Sequence, residues 1–340
     1  MRVMVIGGTR FIGLETVSRL NALGHEVVVF HRGQTAAALP RTVQEILGDR
    51  YHLADRADQL KDLAPDVVLD MIPLGEEDTR AVVRVFTGVT RRIVAISSQD
   101  VFRAYGRLHG TEIGPPEEML LTEDAPLRER FFPYRDAATG TDDPRYDYEK
   151  ILVERVIMGN PDLPGTVLRL PAVYGPRDPQ HRLFPYLKRM DDKRPAIVLD
   201  EVLARWRWSR IYVENAASAI TLAVTDDRAG GRVYNIAEPE ALTEAEWVRQ
   251  VGLAAGWGGE VVIVPEDHFP THLRRKWDAR QHSVADSTRI RRELGYREHM
   301  PLSEALHRTV TWERAHPPDQ ANWPEFDYAA EDEALSRTSP

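Results

Sequence analysis

Cysteine is absent from the 340-residue chain. This absence excludes disulfides, thiolate catalysis and cysteine-ligated metal, and it makes a reducing cytoplasm the expected location. Long hydrophobic runs are also missing, because no apolar stretch approaches the roughly 18–20 residues of a membrane-spanning helix. The apolar N-terminus breaks at Gly7-Gly8 and has no signal-peptide cleavage site, so we interpret it as a first strand.

Positive charge is in deficit, with 44 Lys and Arg against 53 Asp and Glu and a net charge of -9. This balance gives no electrostatic attraction to nucleic acid or to an anionic membrane, so we predict neither as a partner. Lysine is scarce and occurs at Lys61, Lys150, Lys188, Lys193 and Lys276. The 11 histidines are scattered, with no i, i+4 pair beside a glutamate, so no metal site is predicted.

The first half of the chain alternates short apolar segments with helical ones. Strands are predicted at 2–7, 26–30, 43–47, 66–71 and 92–96, and a first helix at Phe11–Leu23. Most of these strand segments are continuously apolar, which is typical of strands covered on both faces. The pattern predicts an α/β fold with a doubly wound parallel sheet.

This rhythm changes twice along the chain. Residues 103–145 are rich in Pro, Gly, Glu and Asp, and we place this long excursion over the active-site face. From residue 178 the pattern loosens into short mixed segments, which predicts a smaller C-terminal α+β substrate lobe over 178–316. Residues 317–340 are polar, and we expect a tail. The first domain is therefore 1–177, and the chain is free to cross between the two.

A glycine-rich turn follows the first predicted strand and consists of Gly7, Gly8, Thr9, Arg10, Phe11, Ile12 and Gly13. Glycines permit a tight turn and let the backbone approach a pyrophosphate, whose charge the following helix N-terminus stabilises. Since the turn lies between a strand and a helix, we favour dinucleotide binding over an ordinary connection.

The segments after the second and third strands bear on the choice of cofactor. Phe30-His31-Arg32-Gly33 carries no acid for a ribose 2′-hydroxyl, whereas Arg10 and Arg32 suit a 2′-phosphate. We therefore favour NADP and keep NAD open, the alternative being that the arginines are solvated or pair with Asp49. Asp49 and Arg50 lie where such folds contact adenine, although a surface turn explains Asp49 equally well.

Three residues form a candidate catalytic set. Ser98 follows the strand at 92–96, at the edge where parallel sheets bind ligands. Tyr146 and Lys150 have i, i+4 spacing, so a helix over Tyr146–Met158 would place them on one face. The ammonium and a cationic nicotinamide would lower the pKa of the phenol, which allows proton exchange with a substrate hydroxyl that Ser98 orients.

With these motifs, the chain over about residues 1–315 resembles the extended short-chain dehydrogenase/reductase family of nucleotide-sugar epimerases and dehydratases, in a divergent branch with a Gly-Gly-Thr-Arg-Phe-Ile-Gly loop. Further landmarks are Glu154, the run Arg169–Pro176, and Ile211–Ala216. The resemblance implies a Rossmann domain, a nicotinamide cofactor that Lys150 and Pro171 help to hold, and chemistry on Ser98, Tyr146 and Lys150. It also implies a homodimer formed through the Tyr-bearing helix.

Departures from the family pattern concern the substrate. Ala172 stands where the family often has Asn, and Gln99-Asp100 replaces the adjacent Asp-Glu of dehydratases. Asp100 is either a lone acid/base or part of a structural turn. In a strand over 204–210, Arg205 and Arg207 would share a face and could bind phosphate or carboxylate. The alternative is that they are charged residues of an edge strand that prevent its pairing with another chain. Tyr186 is a second-rank substrate contact.

We predict an NAD(P)-dependent enzyme that acts on a hydroxyl carbon of a sugar or nucleotide-sugar-like small molecule by tyrosine-assisted hydride transfer. An epimerase is placed narrowly ahead of an NADPH-dependent reductase or dehydrogenase of a non-nucleotide small molecule. A third hypothesis is that the chain is a binding protein, which senses the cofactor without converting a substrate. The set of Ser98, Tyr146 and Lys150 argues against that reading, since binding alone does not require Tyr146.

Overall fold

The computed structural model describes residues 1–35, 37–319, 323 and 326–338. The strands are β1 (Arg2–Ile6), β2 (Glu26–His31), β3 (Gln44–Leu47), β4 (Val67–Asp70), β5 (Arg92–Ser98), β6 (Gly165–Leu170), β7 (Ala172–Tyr174), β8 (Ala196–Asp200), β9 (Arg210–Tyr212), β10 (Arg232–Asn235) and β11 (Glu260–Val264). The central sheet has seven strands in the order β10-β6-β5-β4-β1-β2-β3. All of its neighbouring pairs are parallel, so the predicted doubly wound Rossmann-type fold is confirmed.

Helices cover both faces of this sheet and also build the C-terminal half. They are α1 (Phe11–Ala22), α2 (Ala57–Asp62), α3 (Glu76–Phe86), α4 (Arg103–Leu108), α5 (Lys150–Met158), α6 (Phe184–Asp191), α7 (Glu201–Arg205), α8 (Val213–Thr225), α9 (Glu244–Ala255), α10 (Thr288–Leu294), α11 (Leu302–Ala315) and α12 (Tyr328–Thr338). Val3 and Val5 of β1 pack in one core with Val17 of α1, whereas Met4 packs in the opposite core with Phe86 of α3. The continuous apolar runs reflect this burial on both faces.

The C-terminal half forms two small parallel pairs, β8 with β11 and β7 with β9. Strand β10 lies beyond residue 177 but pairs with β6, so the chain crosses back from the second segment into the central sheet. Among the described residues, no helix is long and apolar enough to cross a membrane.

Residues 103–145 pack over the carboxyl end of β5. The segment begins with α4 and is tied down by an antiparallel bridge between Phe102 and Leu127 and a parallel bridge between Leu121 and Ala285. Phe102 and Leu121 belong to a small buried cluster that also contains Ile151 of α5. The excursion is therefore held against the start of α5.

The C-terminal segment differs from the expected polar tail. Helix α12 occupies residues 328–338, and its Glu331 carboxylate makes three hydrogen bonds with the guanidinium of Arg189 in α6. Both side chains are almost fully buried, at 1% and 5% exposure. A polar sequence can dock in this way because the buried ion pair satisfies both charges.

Candidate active site

The glycine-rich turn makes a sharp connection from β1 to α1. Gly7 and Gly8 both have φ of +89°, which L side chains rarely adopt. A Cβ on Gly13 would lie 2.5 Å from the Cα of Gly8, so α1 can approach the turn this closely only with glycine there. The backbone thus forms a cradle at the N-terminus of a 12-residue helix.

This turn lines a cavity of about 410 Å³, which we call the cofactor cavity. The sequence-predicted residues on its wall are Gly7, Gly8, Thr9, Arg10, Phe11, Ile12, Gly13, His31, Arg32, Asp49 and Arg50. Ile96 of β5 also lines it. The predicted contacts Lys150 and Pro171 are not among its lining residues in the described part of the chain.

Two exposed arginines stand at one end of the cofactor cavity. Arg10 donates from Nε to Thr35 Oγ1 over 3.0 Å. Arg32 forms no salt bridge with any described residue, so its charge is uncompensated by a direct partner. His31 is held by Glu45, with 2.7 Å between Nε2 and Oε2. The cavity therefore presents cations at the end of β2.

Arg50 has a structural role in addition to its place on the wall. It is buried and contacts both Asp70, at 2.9 Å, and Asp78, at 2.9 Å. Asp49 also has a local partner, since its carboxylate accepts from the backbone N–H of Tyr51 over 3.1 Å. The Arg50 pairs join the end of β4 to the start of α3, which fixes the floor of the cavity.

The predicted helix over Tyr146–Met158 is wrong at its start, because α5 begins at Lys150. Glu149 is the N-cap and accepts from the backbone N–H of Ile151 over 2.8 Å. Arg128 and the backbone N–H of Phe132 bind the same carboxylate, so the excursion fixes the cap. Tyr146 lies outside the helix and does not share a helical face with Lys150.

Tyr148 takes a central position next to Ser98 instead. Its hydroxyl donates to Asp100 Oδ2 over 2.9 Å, and the nearby Ser98 hydroxyl partly opposes the rise of its pKa. The Lys150 ammonium lies 5.4 Å from the centroid of the Tyr148 ring. Tyr146 is half-buried, and its ring lies 4.6 Å from the guanidinium of Arg135.

Asp100 accepts hydrogen bonds from two tyrosines, and a third contacts one of these; we call Tyr105, Tyr134, Tyr148 and Asp100 the tyrosine cluster. Tyr134 donates to Asp100 Oδ2 over 3.0 Å, and the hydroxyls of Tyr105 and Tyr134 are 3.0 Å apart. Ser98 positions Asp100 by accepting from its backbone N–H over 3.2 Å. Asp100 Oδ1 is buried and has no hydrogen-bond partner among the described residues.

Burial sets the protonation states in this region. Burial raises the pKa of Tyr148 well above its ordinary value, and the nearby Asp100 charge raises it further. Burial also raises the pKa of Asp100, although Arg128 and hydrogen bonds from Tyr148 and Tyr134 oppose the shift. Burial lowers the pKa of Lys150 to about 8, against the opposing charges of Asp100 and Asp70. Tyr148 therefore carries its proton at neutral pH.

Lys150 connects this cluster to the cofactor cavity. Its Nζ donates to the carbonyl oxygen of Ile96 over 3.0 Å and to that of Pro73. Ile96 lines the cofactor cavity and Ser98 ends the same strand. Behind the cluster, Glu154 accepts from Ser97 over 2.6 Å and pairs with Arg169 over 2.7 Å, which anchors α5 to β5 and β6.

A second cavity, of about 430 Å³, lies in the C-terminal half, and we call it the aromatic cavity. Its aromatic wall consists of Tyr105, His109, Tyr174, Tyr186, Trp206, Trp208, Trp247, Phe269 and Trp277. The predicted substrate residues Ala172 and Tyr186 line it. Because Tyr105 belongs both to this wall and to the tyrosine cluster, hydrogen bonds connect the aromatic cavity to Asp100.

Three predicted substrate residues are not on this wall. Arg205 is the last residue of helix α7, whose N-cap is Asp200, and its side chain is exposed. It therefore does not lie in the strand expected over 204–210. Arg207 points to the Ala241 carbonyl and lies 3.8 Å from Glu246. Asp100 lies in the tyrosine cluster. Trp206, Trp208 and Arg210, on the alternate face, line the cavity instead.

No group of three or more His, Cys, Asp or Glu residues in the described part of the chain could hold a metal ion.

Residues 3–237 match the NAD dependent epimerase/dehydratase family. The chain belongs to this family.

Relatives within the NAD-dependent epimerase/dehydratase family differ in their named reactions. The chain is 27% identical over 277 residues to 2'-dehydrokanamycin reductase of Streptomyces kanamyceticus, with 78% of this chain and 70% of that protein covered. It is 30% identical over 336 residues to a dTDP-glucose 4,6-dehydratase of Streptomyces griseus, with 92% and 94% covered. A solved complex of MoeE5 with UDP-glucuronic acid and NAD aligns with TM-score 0.67 and 20% identity, over 93% of this chain and 99% of that chain.

The cofactor cavity fits the dinucleotide that characterises this family. Gly7 and Gly8 allow the turn its positive φ, Gly13 allows α1 to approach it, and a Cβ on Gly7 would meet Ile72, which lines the cavity; the N-terminus of α1 begins at this turn. Sequence reasoning missed Tyr148, although it stands within the same Tyr-Asp-Tyr-Glu-Lys run as Tyr146. It also missed Tyr105 and Tyr134, for which the excursion offered no recognisable motif.

Proposed function

We propose that this family member is an NAD(P)-dependent oxidoreductase that reduces a carbonyl carbon of a small molecule to a hydroxyl-bearing carbon. The observation that carries the proposal is the hydrogen bond from the half-buried Tyr148 to the buried Asp100, next to Ser98 and Lys150 and to the strand whose Ile96 lines the cofactor cavity. Such a cluster supplies a proton-bearing phenol, a second hydroxyl and a carboxylate at one place.

The cofactor would be held by the glycine-rich turn and by the cations at the end of β2. The turn and the N-terminus of α1 suit the pyrophosphate, and Arg10 and Arg32 suit a ribose 2′-phosphate. This arrangement supports NADP ahead of NAD. When bound, the nicotinamide supplies or accepts the hydride.

The side chains divide the remaining work. Tyr148 keeps its proton at neutral pH because burial raises its pKa, and it donates that proton as negative charge develops on the substrate oxygen. Ser98 donates a hydrogen bond that orients the same oxygen. Without substrate the Tyr148 hydroxyl donates to Asp100 Oδ2, which holds it in place, and it exchanges this hydrogen bond for one to the substrate oxygen. Lys150 fixes the carbonyls of Ile96 and Pro73 and adds positive charge beside the ring.

Epimerisation is the second candidate, and the family match supports it. Reduction is favoured here by the unpaired Arg32, since a consumed cosubstrate is more often the phosphorylated dinucleotide. One relative is named as a reductase and another as a dehydratase, so the relatives are compatible with several outcomes.

The test uses NADPH that carries deuterium at the transferable position of its nicotinamide. Purified protein is incubated with this cofactor and a metabolite extract, and labelled products are sought by mass spectrometry. Reduction predicts a product with one added deuterium, formed by the wild type and not by Tyr148→Phe. An unlabelled isomer together with tightly retained NAD on denaturation would support epimerisation instead.

A protein that only senses its cofactor would give neither product. It would bind NADPH with the same affinity in the wild type and in Tyr148→Phe, and no metabolite would change. Tyr146→Phe is included because the motif spacing selects that residue. The comparison of the two variants assigns the proton-donating tyrosine.

A further inference from the structure

We propose that the aromatic cavity takes an uncharged ring-bearing ligand, such as a neutral glycoside, rather than a nucleoside diphosphate. This inference rests on the proposed function, for which it names the substrate class. It is carried by the charges around the cavity and by the shape of its wall.

Every arginine on the wall already has a carboxylate partner. Arg182 pairs with Asp178 at 2.6 Å, Arg189 with Glu331 at 2.6 Å, and Arg210 and Arg275 with Glu244 and Asp200. These four carboxylates are nearly fully buried, with side-chain exposures of 1%, 1%, 6% and 4%. Within the described residues, the cations of this wall are therefore neutralised in pairs.

The remaining polar groups add no positive charge. His109 lines the cavity, and burial lowers its pKa, so its ring is neutral at pH 7. Tyr186 donates to Glu244 over 2.6 Å and reinforces the pair with Arg210. A diphosphate that enters loses its hydration without finding an unpaired cation, which is unfavourable.

The wall suits a ring in two respects. Trp206 packs against both Trp277 and Trp208, with ring centroids 4.4 and 5.4 Å apart, so indole surface forms one side of the cavity. Planar apolar surface of this kind binds the faces of sugar and aromatic rings. The neutral ring of His109 also lines the cavity, and it can exchange hydrogen bonds with the hydroxyl groups of an uncharged ring.

The first experiment is calorimetric titration of the purified full-length protein, with NADPH present, using two probes. 4-Nitrophenyl β-glucopyranoside is uncharged and carries two rings, and UDP-glucose carries the diphosphate. We expect the aryl glucoside to bind at least about ten-fold more tightly. Tighter binding of UDP-glucose, or no measurable binding of the aryl glucoside, overturns the proposal.

Two pairs of variants locate the binding and test the charge argument. Trp277→Ala is expected to weaken the aryl glucoside about ten-fold or more, whereas Trp312→Ala, which removes an indole outside the cavity, leaves it unchanged. Glu244→Gln keeps the shape but frees the charge of Arg210, so UDP-glucose should bind about ten-fold more tightly. Glu246→Gln, on the same helix but outside the cavity, is the control.

These outcomes are separable from those of the deuterium experiment. Unchanged UDP-glucose affinity in folded Glu244→Gln contradicts the charge argument. A labelled product made from a nucleotide sugar overturns the substrate class and leaves the oxidoreductase proposal standing. Binding of the aryl glucoside without any labelled product from the extract supports the class and counts against the proposed function.

Discussion

The hydroxyl of the half-buried Tyr148 donates to Oδ2 of the buried Asp100 over 2.9 Å, next to Ser98. The tyrosine beside Ser98 is thus Tyr148. The i, i+4 spacing to Lys150 instead selects Tyr146, which lies two residues earlier in the sequence. The difference arises because α5 begins at Lys150 and not at Tyr146. The predictions below test the contacts that produce this arrangement.

The buried pair of Arg128 and Glu149 should be important for stability. Arg128→Met leaves the Glu149 carboxylate, whose side chain is 0% exposed, without its ionic partner. We expect the free energy of unfolding to fall by about 3–5 kcal/mol, measured by urea denaturation. Arg130→Met is the matched control, because its exposed pair with Asp136 should contribute less than about 1 kcal/mol. Equal losses of unfolding free energy in the two variants would contradict the importance of the buried Arg128–Glu149 pair for stability.

Lys150 should make stability depend on pH. Its pKa falls from 10.5 to about 8 through burial, so between these values the unfolded chain binds a proton that the folded chain does not. Stability from this group therefore rises with pH above about 8 and is lost as pH falls through that value.

Lys150→Met removes this dependence. We expect the difference in unfolding free energy between wild type and variant to grow by roughly 1 kcal/mol per pH unit over this interval. Lys61→Met, at an exposed site, should give a difference that does not vary with pH. A pH-independent difference for Lys150→Met would show that the folded protein holds this lysine with an ordinary pKa.

Cofactor selection should depend on Arg32. Since it is exposed on the wall of the cofactor cavity without an ionic partner among the described residues, Arg32→Asp should weaken NADPH binding by about 10–100-fold. NADH binding should change little or improve, as followed by fluorescence titration. Arg56→Asp, at another exposed position, is the control. Parallel losses for both cofactors would remove Arg32 from the recognition of the 2′-phosphate.

The predicted homodimer involves the surface of α5. Leu152 and Val156 are half-buried and border a surface groove with Val83 of α3, whereas Ile157 is fully buried in the core. We expect light scattering to give the mass of two chains, and Leu152→Glu to give the mass of one. A monomeric wild type would refute this prediction.

The fold could be predicted because its signals are local. Continuous apolar runs such as 26–30 and 66–71 correspond to strands buried on both faces, and the glycines of the turn are required by its backbone geometry. The start of α5 was not predictable in this way. It depends on Arg128, which lies 21 residues before Glu149 in the sequence, and no periodic pattern reports such a contact.

The residues of the aromatic cavity likewise could not be predicted from local sequence alone. Alternation over 204–210 separates Arg207 from Trp206 and Trp208, but it does not say which face lies inward. That choice is made by bridges to distant residues, Arg207 with Thr243 and Trp208 with Ser283. The expected tail likewise became a helix through contacts with distant residues, among them the buried ion pair between Glu331 and Arg189.

The most direct test compares Tyr148→Phe with Tyr146→Phe in the deuterium-transfer experiment. Both substitutions remove one hydroxyl and keep the ring, and NADPH binding is measured for each as a check on the fold. We predict that Tyr148→Phe lowers the rate of labelled product formation by about 10²–10⁴-fold, with Tyr146→Phe within about ten-fold of the wild type. A large loss in Tyr146→Phe with near-normal activity in Tyr148→Phe would contradict the assignment of Tyr148 as the proton donor.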